Sequence, residues 1–146
     1  MDLSDDLADI VLALGEDTLG IWLARRAFDV AALDRDHAVT ASVDIAGAHP
    51  STLFVSCSEP LARVISARMF GGAEDDATVG ELADALAEVA NIVGGNVKAM
   101  LEPPTTLALP EPVPGGLPLD AVARARGVAG FRCNDEHLLV MVADRS

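Results

Sequence analysis

The chain has 146 residues, of which 51% are hydrophobic and 23% charged. That length and balance suit one domain over residues 1–146 with its own buried core, and they argue against disorder. Lys and Arg number 10 against 23 Asp and Glu, a formal net charge of −13; a chain this acidic repels phosphate backbones and anionic bilayers, so nucleic acid and membrane are set aside as partners.

The start, MDLSDDLADI, has neither the basic opening nor the apolar run of a secretory signal. No window reaches the roughly 18 consecutive apolar residues of a membrane helix. Cys57 and Cys133 lie in apolar runs that read as strands, without CxxC spacing. They are expected to be small buried hydrophobes of a reduced, cytoplasmic protein rather than a redox pair.

Ser4 reads as an N-cap followed by Asp5 and Asp6, and Leu7, Ile10, Val11 and Leu14 recur at helical spacing. A helix is expected near residues 5–19, with Gly20 as its stop. Residues 21–37 fit either a helix extension or a short strand. From Val39 the period changes to two, with Val39, Ala41, Val43 and Ile45 on one face. Gly47 to Pro50 is a turn, and Leu53, Val55 and Cys57 form the next strand. Pro60 suits the first turn of a helix that carries Leu61, Val64, Ile65 and Met69 and stops at Gly71-Gly72. Residues 73–77 are an acidic loop, and Thr78 with Glu81 matches a capping box that opens the longest helix. Pro103-Pro104 must end it. Thr105 to Leu109 reads as a strand and Pro110 to Pro118 as an extended loop. Residues 127–133 and 137–143 form a hairpin about Asn134-Asp135. The last strand is apolar throughout, so it belongs in the middle of the sheet. The class is α+β: an antiparallel-rich sheet covered by helices, in two helix–strand–strand halves.

The long helix carries the information. At about 100° per residue, Leu82, Leu86, Val89, Val93, Val97 and Met100 fall on one stripe, the core face. Asp84, Glu88, Asn91, Gly95 and Lys98 fall opposite, stacked as a ridge. A polar outer face is usually just solvated. Asn91 in mid-helix, and two adjacent glycines costing about 1 kcal/mol each, fit a docking ridge equally well.

The spacing of Asp84, Glu88 and Asn91, with Gly95-Asn96 following and Pro114 after twenty-two intervening residues, resembles the signature of the CheC/CheX/FliY family of chemotaxis phosphatases. The segment Ser58 to Gly71, ending ARMFG, is similar to the one that precedes the signature helix in CheX proteins. The resemblance covers most of residues 38–115. The first helix has no second ExxN, which places the chain with the single-site, CheX-like branch.

The resemblance implies a CheX-like fold and a hydrolase acting on the phospho-aspartate of a CheY-like response regulator in two-component signalling. Glu88 and Asn91 would be the catalytic pair, Asp84 and Gly95 partner-binding positions, and Pro114 a supporting residue that shapes a loop against the helix. It implies no metal site and no cofactor in this chain, with Mg on the response-regulator partner, and a homodimer formed by pairing sheet edges. The alternative is a non-catalytic module that binds a receiver domain or serves as a dimeric scaffold. A flagellar-switch relative fits less well, because those proteins carry a further binding domain. His37, His49 and His137 lack ligand spacing, and Glu74-Asp75-Asp76 lacks that of a calcium loop.

Overall fold

A computed structural model describes residues 2–145. Helix α1 (Ser4–Ala13) continues into a π-helical turn at Leu14–Leu19, and Gly20 stops it at φ +63°. The helix starts from Leu3, one residue before the expected cap, and Leu3 has no side-chain acceptor to offer. The Asp2 carboxylate accepts from the Ser4 N–H at 2.9 Å, whereas the Ser4 hydroxyl accepts from the Val128 N–H at 3.0 Å and ties the helix to the sheet. A short edge strand β1 (Ala24–Arg26) then settles the ambiguous region, and a single 3-10 turn, Val30–Ala32, follows.

Strands β2 (Val39–Ala46) and β3 (Ser51–Cys57) form an antiparallel hairpin, followed by α2 (Glu59–Phe70) and α3 (Val79–Met100). Thr78 and Glu81 complete the capping box in both directions. Arg63 on α2 donates to the carbonyls of Glu74 and Ala77, which anchors the acidic loop ahead of that cap. The expected strand at Thr105 to Leu109 shrinks to β4 (Thr106–Leu107), and the proline-rich loop contains β5 (Glu111–Pro112). Prolines lack the N–H a ladder needs, so this segment touches β2 only in short pieces. Strands β6 (Ala125–Cys133) and β7 (Glu136–Asp144) close the chain around Asn134, at φ +54°.

The sheet order is β1-β6-β7-β3-β2-β4, with β5 also on β2, and every pairing is antiparallel. The two halves interlock about the central β3–β7 pair. The edge strand that follows α1 pairs with β6, and the edge strand that follows α3 pairs with β2. Helices α1 and α3 lie on one face, α1 over β6 and α3 over β2.

Strand β7 is central, as its composition requires. Leu138, Val140 and Val142 join the core beneath the helices, while Leu139, Met141 and Ala143 join a second cluster with Leu33, Phe54, Leu117 and Ala121 on the other face. Both faces of the strand are therefore dry, which is why it does not alternate polar and apolar residues. Cys57 is fully buried, and Cys133, at the end of β6, is only partly so. Among the described residues no helix is long and apolar enough to cross a membrane.

Candidate functional site

The face α3 turns to the sheet follows the expected stripe with one exception. Leu82, Leu86, Val89, Val93 and Val97 are buried to 2% exposure or less, but Met100 is 38% exposed. Met100 stands instead at the wall of an open cleft with Ile45, Ala46 and Leu101, so the apolar period continues where burial does not. Gly94 belongs to the buried side: a Cβ there would stand 2.8 Å from Val43 Cγ1 and 3.1 Å from Leu107 Cδ1. This glycine lets the helix approach β2 and β4 closely.

The opposite face is the ridge. Asp84, Glu88, Gly95 and Lys98 are exposed and Asn91 is half-buried. None of the ion pairs among the described residues involves Asp84, Glu88 or Lys98. The side-chain hydrogen bonds of α3 are those of the capping box and that of Asn96, whose Nδ2 donates to the Ile92 carbonyl at 2.9 Å. Glu88 and Asn91, three residues apart and neighbours on the helix surface, thus project from a rigid element with their polar groups uncommitted. A Cβ on Gly95 would meet nothing within 4 Å. Unlike Gly94, it has no packing reason among the described residues.

Two depressions flank the ridge. One is the groove between α1 and α3, about 400 Å³, lined by Asp9, Ile10, Ala13, Asp17, Ile92 and Asn96 among others. The other, about 360 Å³, is lined by Gly95, Lys98, Ala99, Leu101, Pro103 and Thr105. The α1 flank was not legible in the sequence, because it depends on which face of α1 meets α3. Helical spacing alone puts Lys98 on the ridge, and the signal that marks it is that it is the only lysine of the chain.

Pro114 is exposed and lies just beyond β5, a strand that packs beside α3. A cleft of about 470 Å³ beyond the C-terminal end of α3 is lined by His49, Met100, Arg126 and Asp144 among others. Two of its charged groups already serve one another: Arg126 pairs with Asp144 at 3.6 Å and donates to the Ser51 hydroxyl at 3.3 Å. No three His, Cys, Asp or Glu side chains cluster to hold a metal among the described residues. Burial pushes the Cys57 thiol far above its ordinary range and raises that of Cys133, with the Glu136 charge adding to both, so neither is an activated nucleophile.

The chemistry-bearing residues therefore stand on a convex surface. A small substrate needs a cavity that surrounds it. A projecting carboxylate and amide on a helix suit insertion into a pocket that belongs to another macromolecule.

Comparisons with known proteins agree with this architecture. No curated protein sequence matches the chain. The CheX from Vibrio vulnificus is 15% identical, with 99% of this chain and 97% of that one covered and a TM-score of 0.78. The CheX–CheY–BeF3–Mg2+ complex from Borrelia burgdorferi matches at 17% identity, 97% of each chain and a TM-score of 0.69. The FliM middle domain from H. pylori matches at 12% identity, 96% of this chain and 86% of that one, and a TM-score of 0.56. At these identities the likeness speaks for the fold. The family profile described as "Chemotaxis phosphatase CheX" matches residues 39–129, a span that holds β2, β3, α2 and the whole of α3. With the open antiparallel sheet, the pair of helices on one face and more than half of its length matched by that profile, the chain belongs to the CheX family of chemotaxis phosphatases.

Proposed function

We propose that this chain hydrolyses the phospho-aspartate of a CheY-like response regulator, with α3 as the element that enters the partner's site. One observation carries the reading: Glu88 and Asn91 are neighbours on the outer face of α3 and have no side-chain ion-pair or hydrogen-bond partner among the described residues. The family match and the Borrelia complex, in which a CheX is bound to CheY, BeF3 and Mg2+, support it.

The reaction joins a water oxygen to phosphorus and breaks the bond from phosphorus to the aspartyl oxygen, leaving free aspartate and inorganic phosphate. The transition state is loose, so positioning the water in line counts for more than removing its proton. Asn91 suits this task, because its amide offers a donor and an acceptor to one water and stays neutral. Glu88 pairs with a lysine of the partner and sets the approach; a charge pair at the centre of a desolvated interface has a large effect on dissociation. Asp84, one turn further out, makes a rim contact. Pro114 supports the loop beside β5 and takes no chemical part. The magnesium belongs to the partner's phospho-site, and this chain contributes no cofactor. The reaction is intracellular signalling chemistry, which places the protein in the cytoplasm.

Dimerisation through a sheet edge also fits. The outer side of β2 is occupied by β4 and β5, whereas β1, preceded by the 81% exposed Trp22, is paired only with β6.

The test is the decay of phosphorylated receiver with and without the protein. Asn91→Ala should abolish the acceleration with binding largely kept, and Glu88→Ala should weaken both. A fully active Asn91→Ala protein overturns the mechanism. Tight binding without faster decay would leave a receiver-binding module in place of an enzyme.

A further inference from the structure

We infer that Lys98, across the open notch at Gly95 from Asn91, is the cationic contact of the ridge and receives a carboxylate of the docked response regulator. This inference rests on the phosphatase reading above and adds what fixes the partner's orientation on α3.

The first observation is charge. In a chain of formal net charge −13, Lys98 is the only lysine and the only basic residue of α3. It is exposed, and no ion pair among the described residues engages it. The second is alignment. Residues 91, 95 and 98 lie within about 60° of one another around the helix axis, and Lys98 stands about 10 Å along that axis from Asn91. The third is space. Gly95 sits between them with nothing within 4 Å of where its Cβ would be, and the depression of about 360 Å³ beside it is walled by Lys98, Leu101 and Pro103.

These features fit one occupant. A phospho-aspartate site is anionic, and a docking surface that carried only Asp84 and Glu88 would be repelled by it. One cation beyond the water-positioning amide offsets that repulsion locally. It also makes the ridge polar from end to end, negative towards residue 84 and positive at 98, so a partner with a lysine and a carboxylate at matching positions fits in one direction only. A cation in the last turn also complements the helix dipole. That role concerns the free protein alone, and it leaves the glycine next to the lysine unexplained.

The probe is a CheY-type receiver of the source organism loaded with BeF3− and Mg2+, titrated against the full chain. Wild-type protein should bind, Lys98→Glu should bind about tenfold or more weakly, and Lys98→Arg should stay within about threefold. Zero-length carbodiimide coupling should join Lys98 to an Asp or Glu of the receiver, and the adduct should vanish in Lys98→Arg although binding persists. Gly95→Gln, which fills the notch, should weaken binding while the unfolding temperature is held or raised. Wild-type affinity in Lys98→Glu, or coupling of the complex that never includes Lys98, would overturn the inference and leave the phosphatase reading standing. A wild-type chain that neither binds any such receiver nor speeds its dephosphorylation would overturn that reading first, and this inference with it.

Discussion

Two adjacent glycines in α3 look alike in the sequence and differ in kind. Gly94 faces Val43 and Leu107 at distances a methyl group cannot occupy, and Gly95 faces open space. Gly95→Ala should therefore stabilise the chain by about 0.5–1 kcal/mol through helix propensity, while Gly94→Ala should destabilise it by about 1 kcal/mol once overpacking is set against the same gain. Thermal or urea unfolding of the two variants checks the opposite signs. The thiols make a second contrast. Cys57 is completely enclosed and its thiol is held protonated by burial, whereas Cys133 is only partly covered. A maleimide at pH 8 should label Cys133 slowly in the native protein and Cys57 only after unfolding, as read by intact mass. His37 and Asp34 form an exposed pair at 2.7 Å that raises the pKa of the imidazole and lowers that of the carboxyl. The raised His pKa means its contribution is present in full below the unfolded histidine value and is lost as pH rises through the folded one. The lowered Asp pKa means its contribution is lost as pH falls through the folded carboxyl value. Asp34→Asn should move the His37 NMR titration midpoint downward.

At the scale of elements, the long helix was the most legible part of the chain. Its start is written in Thr78 and Glu81, which cap each other's backbone amides, and its end in the prolines that follow. Thr78→Ala should cost about 1 kcal/mol, measured as a shift in the unfolding midpoint. The weaker readings differ in cause. Ser4 is not the cap of α1, because its hydroxyl is taken by Val128, a residue 124 positions away; the helix starts from Leu3, and the Asp2 carboxylate accepts from the Ser4 amide. Met100 continues the apolar period but leaves the core and lines an open cleft. The segment after Pro104 forms two strands of two residues each, where Thr105 to Leu109 reads as one strand and Pro110 to Pro118 as a loop. For Ser4 a contact distant in sequence overrode the local pattern, whereas in the segment after Pro104 the prolines themselves cut the ladder short.

The whole molecule is two interlocked halves about the β3–β7 pair, and its two edges are treated differently. Prolines and short strands shield β2, and β1 is left with an unpaired outer side next to exposed Trp22. If dimerisation uses that edge, sedimentation equilibrium should return twice the chain mass for the wild type, and Trp22→Asp should shift the population towards monomer with the fold kept. A wild type that stays monomeric at high concentration would remove the edge-pairing proposal.

The amino-acid order alone was enough for the existence and class of the elements, the buried stripe of α3 and the ridge opposite it, because residues three and four apart on a helix are neighbours whatever the rest of the chain does. The same local geometry put Asp84, Glu88, Asn91, Gly95 and Lys98 in line. Only the tertiary structure decided that α1 lies beside that ridge, that β1 crosses to pair with β6, and that of two glycines one is packed and the other open. Those facts depend on surfaces far apart in the chain meeting in the fold, in the case of β1 and β6 across more than a hundred residues. No periodicity encodes such a meeting, because it is chosen by the sum of many weak apolar contacts and not by any single residue.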